Sequence, residues 1–282
     1  MSDRLSVLSQ YFLPKQALTR VMGRLANLEG GTTTTAVIRW FIERYKVDMS
    51  EALNPDPAAY ATFNSFFTRE LKADARPVAQ ADWICPVDGA VSQLGAIAGN
   101  QIFQAKRHSY STQALVGGDA ALAAQFQDGN FATIYLSPRD YHRIHMPCAG
   151  RLLRMIHIPG ELFSVNPATA RGVPGLFARN ERLVCVFDGP HGLFIMVLVG
   201  ATVVGSMATV WHGVVNPPRP GKIREWDYRE QNIQLPQGAE MGRFLLGSTI
   251  VLLTPRSNMQ WNSTWQAATP VRLGQMMADQ AP

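Results

Sequence analysis

Three short stretches of this 282-residue chain carry side chains that can move protons or attack carbonyls. Pro86-Val87-Asp88-Gly89-Ala90 puts a carboxylate on a glycine turn ahead of a strand-like run. Tyr141-His142-Arg143-Ile144-His145-Met146-Pro147 holds two imidazoles three residues apart, and Leu246-Gly247-Ser248-Thr249 sets a hydroxyl directly after a glycine. A serine so placed can attack the carbonyl of the peptide bond before it, because glycine leaves that carbonyl uncrowded. A chain cut there converts the serine into a pyruvoyl group, a ketone electrophile that no coded side chain supplies.

The same residues suit plainer uses. Gly-Ser-Thr and Asp-Gly are common turn sequences, since glycine reaches positive φ and short polar side chains bond to nearby backbone. His142 and His145 with Cys148 have a zinc-like composition, but HxxH bounded by Pro138 and Pro147 does not read as a regular helix, and no HExxH base accompanies it. A structural histidine pair is a further reading. An Asp, a His and a Ser can also form a hydrolase triad. The GxSxG elbow of lipases and esterases is absent at Ser248 and at Ser206.

The elements that must position these groups divide the chain in two. The first part reads helical. Leu18, Val21, Met22, Leu25 and Leu28 follow the i, i+3, i+4, i+7 rhythm, and Val37, Ile38, Phe41, Ile42 and Tyr45 repeat it after the Gly30-Gly31 break. Leu5–Phe12 forms a short leading turn ended by Pro14, and a short helix covers Phe63–Leu71. Beyond Arg76-Pro77 the texture changes to β-like runs: Ala90–Leu94, Ala132–Leu136, Leu152–Ile158, Leu183–Phe187, Leu193–Val199, Thr202–Val210 and Ile250–Leu253. Val215–Gln237 reads as a loop or flap, and the tail after Pro270 as frayed. The expected fold is therefore α+β, with N-terminal amphipathic helices (1–77) on a mainly antiparallel β-rich catalytic core (78–282).

Composition narrows the setting. Cys85, Cys148 and Cys185 are odd in number and widely spaced, which argues against a disulfide framework. No cleavable leader is visible at the N-terminus. Leu193–Trp211 runs 19 residues without a charge, but its β-branched content and its glycines, Gly200 and Gly205, favour two buried strands over a membrane span. Residues 1–47 carry seven Lys/Arg against three acids. A basic, amphipathic region without a dense basic run suits an anionic membrane surface and not nucleic acid.

Taken with their flanks, the three reactive stretches resemble the bacterial, membrane-associated form of phosphatidylserine decarboxylase. The resemblance runs through Phe63–Leu71, Val87–Gly95, Gln104–Tyr110, Tyr141–Cys148, Pro159–Pro167, Phe177–Arg182 and Met241–Thr249. It covers most of the chain beyond the first 60 residues. Arg107 stands where glycine is common in the family, a minor departure.

The resemblance implies a self-cleavage triad of Asp88, His145 and Ser248, with scission between Gly247 and Ser248. His145 would remove the serine proton, Asp88 would orient the imidazole, and an N→O acyl shift followed by β-elimination and hydrolysis would leave a pyruvoyl cofactor derived from Ser248. The chains would be 1–247 and 248–282. His142 would act as general acid in decarboxylating phosphatidylserine to phosphatidylethanolamine. The resemblance also implies a peripheral enzyme on the cytoplasmic face of the cell membrane, and a homodimer stays open. Lys106, His108 and Arg179 are unranked as phosphate contacts. A lipid-ester hydrolase, a non-catalytic membrane protein and a pyruvoyl decarboxylase for a soluble amino acid are the rivals.

Overall fold

A computed structural model describes residues 3–202, 206–219, 221–245 and 249–281. Among these, the helices are α1 (Asp3–Phe12), α2 (Lys15–Ala26), α3 (Thr32–Tyr45), α4 (Phe63–Phe67), α5 (Thr112–Leu115), α6 (Ala120–Ala124), α7 (Pro167–Gly172) and α8 (Leu176–Arg179). The strands begin with β1 (Trp83–Ile84), β2 (Gly89–Ala96), β3 (Gln101–Ala105), β4 (His108–Ser111), β5 (Asn130–Tyr135) and β6 (Arg143–His145). They continue with β7 (Gly150–Ile158), β8 (Arg182–Gly189), β9 (Gly192–Val199), β10 (Met207–Thr209), β11 (Gly213–Val214) and β12 (Arg224–Asp227). The last are β13 (Gln234–Leu235), β14 (Glu240–Phe244), β15 (Thr249–Thr254), β16 (Met259–Trp261), β17 (Pro270–Val271) and β18 (Met276–Gln280).

The main sheet runs β12-β7-β8-β9-β15-β5-β2-β17, with β13 also paired to β7, and its strands pair antiparallel throughout. Its central strands are apolar on both faces because both are covered. Leu183, Cys185 and Phe187 of β8 enter one core with Ile250 and Leu252, whereas Val184 and Val186 enter a second core with Val251 and Leu253. Over the first core lies a smaller sheet, β11-β10-β14-β6, contributing Met207, Met241, Phe244 and Ile144. Short helices cover the second, through Leu115, Leu122, Ala170 and Leu176. The fold is α+β with a β-rich, antiparallel core.

The structure corrects several expectations. The leading turn is a ten-residue helix, α1, whose Gln10 side chain bonds Thr169 and the Ser164 backbone. The helix expected over Phe63–Leu71 stops at Phe67; a Thr62/Ser65 capping box starts it, and the Thr68 hydroxyl bonds the Asn64 carbonyl near its end. The second strand expected within Leu193–Trp211 is described only in part. Val203–Gly205 lie outside the described residues, and Met207–Thr209 pairs with β14 and β11 in the other sheet. The Val215–Gln237 segment carries β12 and β13 along the edge of β7. The tail is not frayed: Val271 pairs with Gly89, and β18 lies between β1 and β16 with Met277 and Ala278 fully buried.

The N-terminal helices divide their apolar residues between two surroundings. Ile38 is buried with Phe66 and Phe67, and Phe41, Ile42 and Tyr45 pack against that cluster. Val21, Leu25 and Leu28 face outward, as do Val37 and Trp40 of α3 and Phe12 at the end of α1, which is 81% exposed. No helix among the described residues is long and apolar enough to cross a membrane.

Candidate active site

Gly247 and Ser248 lie outside the described residues, so the site is built from what borders them. β14 ends at Phe244 and β15 begins at Thr249, so the two strands that border the segment belong to different sheets. Both histidines belong to the segment paired with β14. The Phe244 N–H donates to the His142 carbonyl at 3.1 Å, and His145 sits opposite Glu240. Asp88 lies on the turn into β2. Thr249, Tyr135 and Ala90 share one register row across β15, β5 and β2, two strand spacings or about 10 Å from end to end. Gly89 is required there by close approach, since a Cβ would collide with the Tyr135 carbonyl oxygen.

His145 is held on both nitrogens. The Gly238 carbonyl can only accept, so Nδ1 carries the hydrogen and donates to it at 2.8 Å. Nε2 keeps its lone pair, toward which the Tyr141 hydroxyl points at 3.1 Å. Burial pushes the His145 pKa below the usual imidazole value, favouring this neutral form. The His145 N–H bonds the Pro86 carbonyl at 2.9 Å, which ties β6 to the loop carrying Asp88.

The Asp88 carboxylate turns to other partners. Arg76 grips it from Nε at 2.9 and 3.1 Å and from Nη2 at 2.5 Å, and the Leu273 N–H donates to Oδ1 at 2.9 Å. Arg76 in turn reaches Glu51, which also pairs with Arg272. Burial works against the charge on Arg76, but its bonds to Asp88 and Glu51 outweigh this and raise its pKa. A direct Asp88–His145 hydrogen bond is not among the described contacts. Asp88 acts on the imidazole through space, and Gly238 sets the tautomer.

His142 is fully buried against the Phe67 ring, with centroids 4.1 Å apart. Its Nδ1 donates to the Asp140 carbonyl at 2.8 Å, and its Nε2 is buried without a partner among the described residues. Burial drives its pKa down to about 3, so the resting imidazole is neutral. A buried basic nitrogen with an unused lone pair is able to accept a proton and pass it on.

Of the residues named from sequence, His142 is tied to the end of β14 through the Phe244 N–H. His145 sits opposite Glu240 at the start of that strand, with its own N–H on the Pro86 carbonyl two residues from Asp88. Lys106 lies instead at the tip of the β3–β4 hairpin, in a groove with Tyr11 and Arg171, and Arg179 stacks on Phe163. Neither lines the cavity beside Asp88. Sequence alone assigns no role to Arg76, Tyr141, Gly238 or Leu273. Arg76 and Tyr141 do stand within or next to the stretches singled out there, whereas a backbone carbonyl and a backbone N–H leave no sequence signal.

The comparisons with known proteins agree along the whole chain. The family described as phosphatidylserine decarboxylase matches residues 63–279, and a second, described as PSD, matches residues 5–46. The phosphatidylserine decarboxylase proenzyme of Delftia acidovorans is 73% identical over 279 residues, covering 99% of this chain and 98% of that protein. Proteins of the same name from Azoarcus sp. and Dechloromonas aromatica are 72% and 65% identical, covering 99% and 100% of this chain and 97% and 100% of their own. With a family match across most of its length and relatives this similar, the chain belongs to the phosphatidylserine decarboxylase family.

Proposed function

We propose that this decarboxylase converts phosphatidylserine to phosphatidylethanolamine with a pyruvoyl group that it makes by cutting its own Gly247–Ser248 bond. The observation that carries the reading is the pairing of the histidine-bearing segment with β14, the last strand before that bond, with Asp88 beside it. His145 takes the Ser248 hydroxyl proton on Nε2 as the oxygen attacks the Gly247 carbonyl. Asp88 favours the resulting imidazolium electrostatically, held in place by Arg76 and the Leu273 N–H. After scission, chain 248–282 stays attached through the pairing of β15 with β5 and β9.

The pyruvoyl ketone supplies an electron sink for the carbon that loses CO₂. The orphaned His142 Nε2 fits such a site. At rest it is neutral, so the proton it returns to that carbon must first arrive, and the substrate's ammonium group is a source for it. Residues 1–77 form the docking region, with Phe12, Leu25 and Trp40 entering the lipid and Arg20, Arg24 and Arg39 near anionic headgroups. The protein then sits peripherally on the cytoplasmic face of the membrane.

The test is CO₂ release from carboxyl-labelled phosphatidylserine. Release should disappear in Ser248→Ala and after treatment of the native enzyme with phenylhydrazine, which captures ketones. Undiminished release from Ser248→Ala would refute the reading.

A further inference from the structure

Among the described residues, Arg69 is the buried cation of the cleft that no carboxylate pairs. Arg69 follows α4 and is only 4% exposed. Among the described residues its Nε is buried without a partner, and Nη2 makes a single long bond, 3.4 Å, to the Arg139 carbonyl. Among the described residues no carboxylate lies within ion-pair distance of it. Burial lowers its pKa, the mark of a desolvated charge. The Phe66 ring, 5.6 Å from the guanidinium carbon, and the more distant charges of Asp88 and Asp140 offset this only in part. A buried guanidinium without a direct anion is costly, so a partner that arrives later is the physical explanation for its retention.

The surroundings show what kind of partner fits. Arg69 lines a cavity of about 340 Å³ together with Arg76, Asp88, Arg139, Asp140 and Arg272. The four carboxylates there are already engaged: Asp88 with Arg76 and Leu273, Glu51 with Arg76 and Arg272, Asp140 with the Ser137 N–H, and Asp48 with the N–H and hydroxyl of Ser50. Against them stand five cations, Lys46, Arg69, Arg76, Arg139 and Arg272, which leaves the lining one positive charge in excess. Lys46, the residue after α3, stands at the same cavity, so it opens beside the helix that exposes Val37 and Trp40. Two residues before Arg69, Phe67 packs on His142, so one short segment carries both the wall of the proton-transfer site and the free guanidinium.

The proposed decarboxylation supplies two candidate anions on the substrate, and the inference rests on that reaction. The carboxylate must leave as neutral CO₂, and a guanidinium clamped on it would stabilise the ground state more than the transition state. The phosphodiester keeps its charge throughout, and its oxygens match the guanidinium fork. We propose that Arg69 binds the phosphodiester of phosphatidylserine and so fixes the serine headgroup relative to His142.

The experiment uses the processed full chain carrying Arg69→Gln or Arg69→Lys, assayed on phosphatidylserine in mixed micelles of fixed composition. The expected result is a KM raised tenfold or more in Arg69→Gln and less in Arg69→Lys. Capture of the ketone by phenylhydrazine, a small nucleophile without phosphate, should stay within twofold of native. Inorganic phosphate should inhibit the native enzyme more strongly than Arg69→Gln. An unchanged KM would overturn the proposal, as would a parallel loss of lipid turnover, phenylhydrazine capture and thermal stability, which marks a purely structural role. If Arg69→Gln does not fold, Arg69→Lys decides by the same split. Failure of the underlying reaction reads differently, because the native enzyme itself would then neither release CO₂ nor react with phenylhydrazine.

Discussion

The Asp88 carboxylate is gripped by the Arg76 guanidinium, Nη2 to Oδ2 at 2.5 Å and Nε to Oδ1 at 2.9 Å, with both side chains largely buried. The acid of the expected triad therefore spends its hydrogen bonds on a cation from the N-terminal region and on a backbone N–H from the segment after the proposed cleavage site. Three parts of the chain meet at one carboxylate.

Removing Arg76 leaves that charge buried and alone, which costs about 3–5 kcal/mol for a pair of this kind. Arg76→Gln should lower the denaturant midpoint and slow self-cleavage, as read by fragment yield over time. In a double-mutant cycle, Arg76→Gln should cost much less when Asp88 is already Asn. Additive effects would show that the two residues act independently.

Gly274 adopts φ +85°, and a Cβ there would collide with the Pro77 carbonyl oxygen. Its neighbour Leu273 supplies the N–H that bonds Asp88. Gly274→Ala should cost about 1–3 kcal/mol and impair processing, although it changes no group with chemistry of its own. Native processing and an unchanged thermal midpoint would disconnect the tail from the site.

His142 has a depressed pKa of about 3 in the folded chain, against an ordinary imidazole in the unfolded one. Its neutral burial is without penalty above pH 6.5. Below that the unfolded chain binds a proton that the folded chain does not, so stability falls as pH drops toward the folded value. Between pH 6.5 and 5 this amounts to about 2 kcal/mol. His142→Asn, which keeps a donor for the Asp140 carbonyl, should lose that much less over the same interval in urea titrations. The variant should still cleave itself yet fail to release CO₂.

Phe12, Leu25 and Trp40 are exposed, Trp40 by 57%. Each buried side chain of this size contributes about 1.5–3 kcal/mol to leaving water. Replacing all three with Ser should reduce sedimentation with anionic vesicles at least tenfold while leaving self-cleavage intact, and added salt should weaken binding of the native protein. Equal sedimentation would place the membrane surface elsewhere. This substitution is cleaner than deleting residues 1–47, because Val7, Ala26 and Ile38 are buried.

Strands are legible in the sequence where β-branched runs are buried on both faces, as in β8 and β9, because an unbroken apolar run of that length suits a strand covered on both sides. The same texture misleads at Thr202–Val210, because β-propensity says that a run is extended but not which strand it joins. The order of the tail is hidden because β17 and β18 are short, and their partners lie nearly 200 residues away at Gly89 and Trp83. Asp88, His142 and His145 stand out by residue type. Arg76 and Arg69 do not, because arginines interspersed with acids, as between residues 48 and 77, look like surface charge until the fold buries them.

The proposed chemistry depends on a break in the backbone before Ser248. Intact-mass analysis of active enzyme under denaturing conditions should find a 35-residue chain, 248–282, with a blocked, ketone-bearing start, and should lose it in Ser248→Ala. Active preparations containing only the unbroken 282-residue polypeptide would contradict the account.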